Sequence, residues 1–358
     1  MSRNVTVHVV GTGTIGEPLI GLLISMKEAL GIDEVSFHKR TPLLHDRSKV
    51  TNLIKRGALL AVDGESRQGF LDLGVEPVLE TLEAFEKASV VIDCTPSKVG
   101  LANKNRFYEK YVDSTRGFIA QGSEFGFGKM YARGINDAAL TPGEDRFIQV
   151  VSCNTHNLAI LIDLIALHQD DPANLEEARF LCIRRANDIS QDGSFVPAPQ
   201  VGTHKDEFGS HHARDAYHLF KTLDYDLDCL FSSAMKLNTQ YMHTIWFSLK
   251  VKQPTTRDEI LARFAACDRA AITYKTSANK VFSFGRDYGH YGRLLNETVL
   301  VEPALTVRDG GREIVGFCFT PQDGNSLLSS VSAATWLLDP ENHDEKVQCL
   351  GRYFFDEV

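Results

Sequence analysis

Short β-branched runs alternate with apolar stretches of helical length along the N-terminal part of the chain. Runs with the length of a buried strand lie at residues 5–10, 34–38, 88–96, 117–122 and 147–151. Continuous apolar character over so few residues is typical of strands that are covered on both faces. Strand and helix keep recurring as far as Cys153, which predicts a parallel, doubly wound sheet.

After the apolar stretch 158–165 the pattern changes to longer, partly alternating runs. Strands are predicted at 179–185, 242–251, 298–301 and 307–315, the last with the turn Asp309-Gly310-Gly311, and helices at 210–223 (with Ser210 as N-cap), 256–266 and 322–338. Alternation and hairpin turns indicate a mixed or antiparallel sheet. The expected fold is therefore α/β, with a parallel-sheet domain at 1–152 and an α+β domain at 153–319. The pattern alone does not assign the last helix to either domain.

The segment between the first strand and the first helix is rich in glycine and reads Gly11-Thr12-Gly13-Thr14-Ile15-Gly16. Glycines in this spacing permit a tight turn and let the backbone approach a pyrophosphate that rests on the helix N-terminus. The segment predicts a Rossmann-like dinucleotide site with Gly11, Gly13, Thr14, Ile15 and Gly16 as contacts. The alternative is an ordinary glycine-rich turn between strand and helix.

The second strand ends in His38-Lys39-Arg40, where folds that select NAD place an acidic residue on the ribose 2′-hydroxyl. Two cations at this point favour a 2′-phosphate, so Lys39 and Arg40 predict NADP, or use of both cofactors. A solvated basic turn is the alternative.

Cys153 lies where the run Phe147–Val151 gives way to an apolar helix. The unpaired N–H groups and positive dipole of a helix start favour thiolate over thiol, and the thiolate is the nucleophilic form. Cys153 is therefore a candidate nucleophile, although a small buried cysteine at the end of a core strand has the same local sequence.

Composition limits the remaining classes of function. The length of 358 residues suits two domains, and 43% hydrophobic with 24% charged residues is ordinary for a globular protein. The net charge of −9 argues against nucleic acid or a basic membrane surface as partner. With no apolar run of membrane-spanning length and no signal-peptide pattern, we expect a cytoplasmic protein. Seven cysteines without a C-x-x-C pair predict free thiols, and the spacing of His212, Asp215 and His218 lacks a fourth ligand, so no metal is expected.

A reactive cysteine just after a Rossmann-like half suggests one chemistry in particular. The thiolate attacks an aldehyde, the hemithioacetal gives hydride to a nicotinamide, and water or phosphate releases the thioester. Such a site needs a base, an oxyanion donor and, for a phosphorylated substrate, cationic groups. Candidates for each follow Cys153 in the sequence.

Seven short motifs together resemble the archaeal-type (type II) phosphorylating glyceraldehyde-3-phosphate dehydrogenases and occur in that family's order. They are G-T-G-T-I-G at 11–16, C-T-P-S-K-V-G at 94–100, A-Q-G-S-E at 120–124, V-V-S-C-N-T at 150–155, R-R-A at 184–186, S-H-H-A-R-D at 210–215 and Q-Y-M-H at 240–243. The resemblance implies oxidation of glyceraldehyde 3-phosphate to 1,3-bisphosphoglycerate with NAD(P) and inorganic phosphate. It also implies a homotetramer in which the C-terminal helix and tail, 320–358, return to the nucleotide domain.

The same resemblance assigns roles to individual residues. It implies Cys153 as nucleophile, His243 as the histidine that takes the proton, and Asn154 as a neighbour lining the thioester site. The phosphate pockets would be formed by Ser152, Thr155, Arg185, His211 and His212, and the cofactor turns by Thr95 and Gly122, with Lys39 and Arg40 on the 2′-phosphate. Without the motif, a histidine that opens a strand would be read as structural. Arg184 and Arg185 leave a strand in adjacent positions, so at most one of them is expected to reach the pocket.

Three features depart from the family pattern beside the expected phosphate sites. His156 and Asn157 stand where most members have threonine and a small residue, Ile160 replaces an arginine, and the loop 199–210 is longer. The hydride and thiol chemistry is unaffected, but another phosphorylated aldehyde or a semialdehyde stays open as the substrate. A dinucleotide-binding redox sensor, in which Cys153 is merely oxidisable, is the alternative from another class.

Overall fold

The computed structural model describes residues 4–167, 171–189, 191–193, 195–321 and 323–358. The chain divides into two compact units. Unit 1 comprises the residues up to Lys129 together with Leu140–Val150 and Ser329–Leu350, and unit 2 comprises Met130–Ala139, Val151–Leu328 and Gly351–Val358.

Unit 1 is built on a sheet whose strand order is β4-β3-β2-β1-β5-β6-β8-β7. The strands are β1 (Thr6–Val10), β2 (Glu34–His38), β3 (Leu59–Val62), β4 (Leu79–Glu80), β5 (Val90–Asp93), β6 (Gly117–Gln121), β7 (Lys129–Tyr131) and β8 (Phe147–Val150). Every pairing from β4 to β8 is parallel. All five residues of β1 are buried, as expected for a central strand of a doubly wound sheet.

The helices of unit 1 follow its strands with one interruption. They are α1 (Gly16–Leu30), α2 (Arg47–Lys55), α3 (Arg67–Asp72), α4 (Thr81–Lys87) and α5 (Val99–Arg106). Between β6 and β8 the chain forms the short strand β7 and no α-helix, so the predicted alternation is wrong there. This stretch carries Gly122, Gly126, Gly134 and Gly143, all with positive φ, which helical backbone excludes.

Unit 2 contains the mixed sheet that the sequence predicted, in the order β10-β11-β9-β12-β16-β14-β13, with β15 paired to β16. Its strands are β9 (Leu175–Arg184), β10 (Gln200–Val201), β11 (Leu230–Lys236), β12 (His243–Val251), β13 (Ala270–Thr273), β14 (Thr298–Val301), β15 (Thr306–Arg308) and β16 (Glu313–Thr320). β9 pairs parallel with β11 and antiparallel with β12, and β12 pairs antiparallel with β16. The α/β fold class, with a Rossmann-like part and a mixed-sheet part, is thereby confirmed.

The helices complete the fold. They are α6 (Cys153–Ile165), α7 (His211–Lys221), α8 (Arg257–Ala265), α9 (Ala278–Tyr288), α10 (Gly324–Leu338) and α11 (His343–Val347). Alternate β12 residues Ile245, Phe247 and Leu249 are fully buried in one hydrophobic cluster with Leu161 of α6. The α10 helix is apolar or small along its length and buried throughout, which suits a helix without a solvated face. No helix among the described residues is long and apolar enough to cross a membrane.

Candidate active site

Cys153 is the first residue of α6, directly after the buried strand β8 and the linker Val151-Ser152. Ser152 has extended backbone angles and caps the helix, because its hydroxyl accepts a hydrogen bond from the Thr155 N–H at 3.4 Å. The Ser152 and Thr155 hydroxyls also lie 2.9 Å apart. This local geometry leaves Cys153 half-buried, with part of its surface accessible.

His243 opens β12 and faces the cysteine, with 3.9 Å between Cys153 Sγ and His243 Nδ1. Asn154 lies between His243 and a second histidine. Its Oδ1 is 3.0 Å from His243 Nδ1, and its Nδ2 is 3.5 Å from His212 Nε2. The structure therefore brings together Cys153, Asn154, His243 and His212, which the sequence places on three separate elements.

His211 and His212 form the first turn of α7, with ring centroids 3.9 Å apart. Ser210 precedes them as N-cap, as predicted, but its hydroxyl lies 2.6 Å from Ser232 Oγ and makes no side-chain cap bond. The side chain of His212 is buried, and Nδ1 has no partner among the described residues. A ring nitrogen in that state is available to an oxygen of a bound substrate or phosphate.

Arg185 is almost fully buried and forms ion pairs with Asp323 at 2.9 Å and Asp188 at 3.2 Å. That at most one of the adjacent arginines reaches the pocket stays a prediction, since a charge can act on the thiol without contacting it. Arg184 and Arg185 both lower the pKa of the Cys153 thiol. The strand ends at Arg184, so the alternation that would place the two side chains on opposite faces no longer applies to Arg185.

The Cys153 side chain is a protonated thiol and not the thiolate that was predicted. Burial, with a smaller effect of the Asp323 carboxylate, raises the pKa of Cys153 to about 12, against the lowering effect of the two arginines. The helix-start argument predicted a ready thiolate, but loss of solvation and a nearby carboxylate outweigh it here. Forming the nucleophile therefore requires stabilisation of the thiolate by the neighbouring groups.

The histidines of the site are neutral at neutral pH. Burial, followed by the charges of Arg185 and Arg184, holds the pKa of His243 well below its usual range. Burial does the same for His212, whose pKa is also lowered by His211 and Arg184. A neutral imidazole can accept a proton, which a general base requires.

The glycine-rich segment of unit 1 has the geometry of a dinucleotide cradle. Gly11 has a φ of +97°, a Cβ on Gly13 would meet nothing within 4 Å, and a Cβ on Gly16 would lie 2.1 Å from the Gly11 carbonyl oxygen. These are the turn, the open approach and the tight packing that a pyrophosphate-binding loop needs. Thr14 is buried, and Ile15 is the residue that precedes α1. The residues present therefore fit a nicotinamide dinucleotide.

The predicted 2′-phosphate contacts differ in their surroundings. Lys39 pairs with Asp46 at 2.6 Å, and Asp46 also pairs with Lys49 at 3.1 Å. Lys49 donates a further hydrogen bond to the Thr12 carbonyl oxygen at 3.2 Å, which ties this cluster to the glycine-rich segment. Arg40 is exposed and enters no ion pair among the described residues.

Thr95 and Gly122 follow the carboxyl ends of β5 and β6, the edge where parallel sheets bind ligands. Asp93 fixes the first turn by accepting hydrogen bonds from the Thr95 N–H and hydroxyl. The start of the nearby α5 is capped by Glu124, whose carboxylate accepts from the N–H groups of Lys98 and Leu101.

The residues that are expected to depart from the family pattern lie in the interior. His156, Asn157 and Ile160 have no exposed surface. Burial lowers the pKa of His156 to about 4, and its Nδ1 lies 3.0 Å from the Ser152 carbonyl oxygen. In the loop 199–210, Asp206 lies 3.8 Å from Arg214 of α7, and β10 occupies Gln200–Val201.

Sequence reasoning missed Thr320 and Asp323. Thr320 ends β16 opposite His243 in the strand register, and Asp323 follows shortly after. Both are far from Cys153 along the chain and belong to no motif, so only the pairing of β12 with β16 could have identified them. The described residues contain no cluster of His, Cys, Asp and Glu that could hold a metal ion.

Comparison with known proteins identifies relatives along nearly the whole chain, although no protein-family model matches it. The chain is 26% identical over 355 residues to a glyceraldehyde-3-phosphate dehydrogenase of Methanobacterium bryantii, covering 95% of this chain and 96% of the relative. Proteins of the same name from Methanococcus maripaludis and Metallosphaera sedula are each 27% identical, over 349 and 325 residues, covering 96% and 87% of this chain and 96% and 86% of the relatives. The resemblance to the archaeal enzymes is thereby confirmed.

Replacement of Asp323 should make the thiol more reactive. Asp323→Asn removes a charge that raises the pKa of Cys153, and asparagine tolerates the φ of +63° at this position. Alkylation of Cys153 by iodoacetamide at pH 8 is expected to accelerate roughly tenfold, the effect of about one pKa unit. Asp188→Asn, at a half-exposed and better screened carboxylate, should accelerate it less. An Asp323→Asn rate at or below that of the parent would contradict this electrostatic account.

Proposed function

We propose that this chain, a relative of the archaeal glyceraldehyde-3-phosphate dehydrogenases, oxidises glyceraldehyde 3-phosphate to 1,3-bisphosphoglycerate with NAD(P) and inorganic phosphate. The observation that carries the proposal is the approach of Cys153 Sγ to His243 Nδ1, at 3.9 Å, beside Asn154 and buried arginine and histidine side chains. A nucleophile, a neutral base and cationic groups for phosphate are the components that this reaction requires.

Cys153 acts as the nucleophile. Its sulfur forms a C–S bond to the aldehyde carbon while the thiol proton is transferred to His243, and the protonated His243 then returns that proton to the carbonyl oxygen to give a hemithioacetal. His243 then accepts the hemithioacetal hydroxyl proton as the thioester forms. NAD(P), when bound, supplies the acceptor for the hydride of the aldehyde. Phosphate attacks the thioester, the C–S bond breaks, and the sulfur leaves as thiolate. Asn154 lines this site and orients His243.

The phosphate groups are assigned to the cationic and hydroxyl side chains around Cys153. These are Ser152, Thr155, Arg185, His211 and His212. Arg185 is already paired with Asp323 and Asp188, so an incoming phosphate competes with two carboxylates for one guanidinium. Arg184 adds a second positive charge whose effect extends to Cys153, His212 and His243. Two arginines therefore face two carboxylates, and a phosphate gains charge-assisted hydrogen bonds from Arg185 by displacing one of them.

The assay that tests the function is steady-state turnover of glyceraldehyde 3-phosphate with NAD or NADP, with phosphate present or omitted. We expect phosphate-dependent reduction of the nicotinamide, and we expect Cys153→Ser to abolish it because serine is a far weaker nucleophile without an activated partner. Cys349→Ser, at a half-buried cysteine of unit 1, is the matched control and should retain parent activity.

Other outcomes of the same assay identify the alternatives. Turnover only with four-carbon aldehydes or semialdehydes would mean that the same mechanism acts on another substrate. Ile160, where the family pattern predicts an arginine, would favour that outcome. Cofactor binding without turnover of any aldehyde would favour a redox sensor. A Cys153→Ser variant that is folded and fully active would overturn the thiol mechanism.

Cofactor choice is proposed to favour NADP, or to include both cofactors, through Lys39 and Arg40. Since Lys39 is held by Asp46, the exposed Arg40 is the side chain that can reach a 2′-phosphate at least cost. Arg40→Gln is expected to raise KM for NADP about tenfold, the effect of losing one charge-assisted hydrogen bond of roughly 1.5 kcal/mol. KM for NAD should be unchanged, and Lys110→Gln, at an exposed lysine of unit 1, should change neither. Equal changes for both cofactors would contradict the assignment.

The assembly is proposed to be a homotetramer, as the resemblance implies. On the face of the unit 2 sheet away from α6, the half-buried Trp246 is paired across the strands with the half-buried Leu181 and the exposed Phe317. Such an apolar row is typical of a surface that another protein covers, here a second copy of the chain.

Sedimentation velocity tests this assembly. The parent is expected as a species of about four times the 39.8 kDa chain, and Trp246→Lys as smaller species, because a buried charge without a partner opposes association. Tyr274→Lys, at an exposed aromatic outside this row, is the control and should leave the parent species intact. A monomeric parent would overturn the proposal.

A further inference from the structure

Four buried polar side chains link the interior of unit 2 to the catalytic histidine. Cys318 Sγ lies 3.2 Å from Asn157 Oδ1, and Asn157 Nδ2 donates to Thr320 Oγ1 at 2.9 Å. The Thr320 hydroxyl donates to Asn154 Oδ1 at 3.2 Å, and the same oxygen lies 3.0 Å from His243 Nδ1. The chain of hydrogen bonds therefore ends beside Cys153.

Backbone geometry fixes the members of this chain relative to one another. Thr320 is the cross-strand partner of His243 in the antiparallel pairing of β16 with β12. Asn154 and Asn157 lie one helical turn apart on α6, so both amides can face the strand ends. Asn157 has no exposed surface, and Thr320 is 2% exposed, so water does not compete for these bonds.

The donors and acceptors fit one direction along this chain, in which Cys318 Sγ donates to Asn157 Oδ1 at 3.2 Å, a shorter contact than the 3.8 Å to the Ile245 carbonyl oxygen. Burial raises the pKa of Cys318 to about 12, so this thiol keeps its hydrogen and can donate to Asn157 Oδ1. The Asn157 amide then presents its NH₂ group to the Thr320 oxygen, and the single Thr320 hydrogen is left for Asn154 Oδ1. This arrangement turns the Asn154 oxygen toward His243 and its NH₂ toward His212 Nε2, 3.5 Å away.

An amide oxygen can only accept, so His243 Nδ1 must carry a hydrogen in this arrangement. That hydrogen lies between Asn154 Oδ1 and, at 3.9 Å, Cys153 Sγ. When the thiol ionises, its proton passes by way of solvent to Nε2 of His243, and Nδ1–H is left facing the thiolate. The reverse amide orientation would direct an N–H group at Nδ1 and oppose the imidazolium.

We propose that Thr320 is a positioning residue which, supported by Asn157, holds the Asn154 amide oxygen on Nδ1–H of His243 and so favours the thiolate–imidazolium pair. This proposal rests on the function proposed for Cys153 and His243. It also gives a role to Asn157, which has no exposed surface.

The surrounding charges show why such support matters. The groups that face Cys153 or His243 come from the end of β9 and the residues after it, from the start of α10 and from α7, and they are Arg184, Arg185, Asp188, Asp323 and His212. The arginines favour the thiolate but oppose the imidazolium, and the carboxylates oppose the thiolate. The Asn154 oxygen is therefore the neighbour that stabilises protonated His243 without raising the pKa of the thiol.

The test compares Thr320→Val, which keeps the side-chain shape but removes the hydroxyl, with Thr320→Ser, which keeps the hydroxyl. The rate of Cys153 alkylation by iodoacetamide is measured from pH 5.5 to 10 without substrate or cofactor, with the modified residue located by mass spectrometry. Thr320→Val is expected to lower the rate about tenfold at each pH of this range, the effect of raising the thiol pKa by about one unit. Thr320→Ser should stay within about twofold of the parent.

Turnover provides a second readout. Thr320→Val should lower kcat about tenfold and leave KM for the aldehyde unchanged, because the hydroxyl positions a catalytic group and does not bind substrate. Should Thr320→Val fail to fold, Asn157→Ala decides, since it removes the donor to Thr320 and should shift the alkylation profile in the same direction by a smaller amount.

A folded Thr320→Val protein with the parent alkylation profile would overturn the proposal, as would equal shifts in the valine and serine variants. The alkylation measurement involves no aldehyde, so failure of the positioning role of Thr320 can be distinguished from failure of the proposed function. A parent without aldehyde turnover but with the expected profiles would overturn the proposed function, whereas an active parent with unshifted variants would overturn only the positioning role.

Discussion

The candidate site depends on the contact between the first turn of α6 and the paired ends of β12 and β16. The helix start places Cys153 and Asn154 in consecutive positions, and the antiparallel register places Thr320 opposite His243. The four side chains meet because the helix rests on the strand ends with an apolar interface behind it, where Leu161, Ile245 and Phe247 are fully buried. Rigid packing of this kind is what holds reacting groups at fixed distances.

Positive and negative side chains around this contact act on the thiol in opposite directions. Arg185 is buried beside the thiol, yet Asp323 and Asp188 share its guanidinium, so the positive field at the sulfur is partly cancelled. Removal from water then dominates and keeps the resting cysteine protonated. Because oxidants attack the thiolate, a protonated thiol of this kind is oxidised slowly. Its reactivity depends on the groups that stabilise the thiolate during the reaction.

Much of this arrangement follows from local sequence, and the remainder from pairings that local sequence does not contain. β1, β2 and β14 were predicted within a residue of their bounds, whereas β3 (Leu59–Val62) is too short and leucine-rich for its periodicity to be distinguished from a helix. Cys153 and His243 were found as motif residues. Thr320 and Asp323 were not, because their importance arises from strand register and from a buried ion pair, which involve residues distant in sequence.

The carboxylate of Glu124 at the start of α5 affects which helix start is open to the phosphates of a dinucleotide. A helix start in a doubly wound sheet offers unpaired N–H groups to any anion, and α5 satisfies two of its own with a side chain from within unit 1. At the start of α1, the N-cap residue Ile15 makes no side-chain cap bond, and Gly13 leaves the approach open. Glu124 therefore competes with any ligand anion for the N–H groups at the start of α5. A dinucleotide phosphate would accordingly meet less competition at the start of α1.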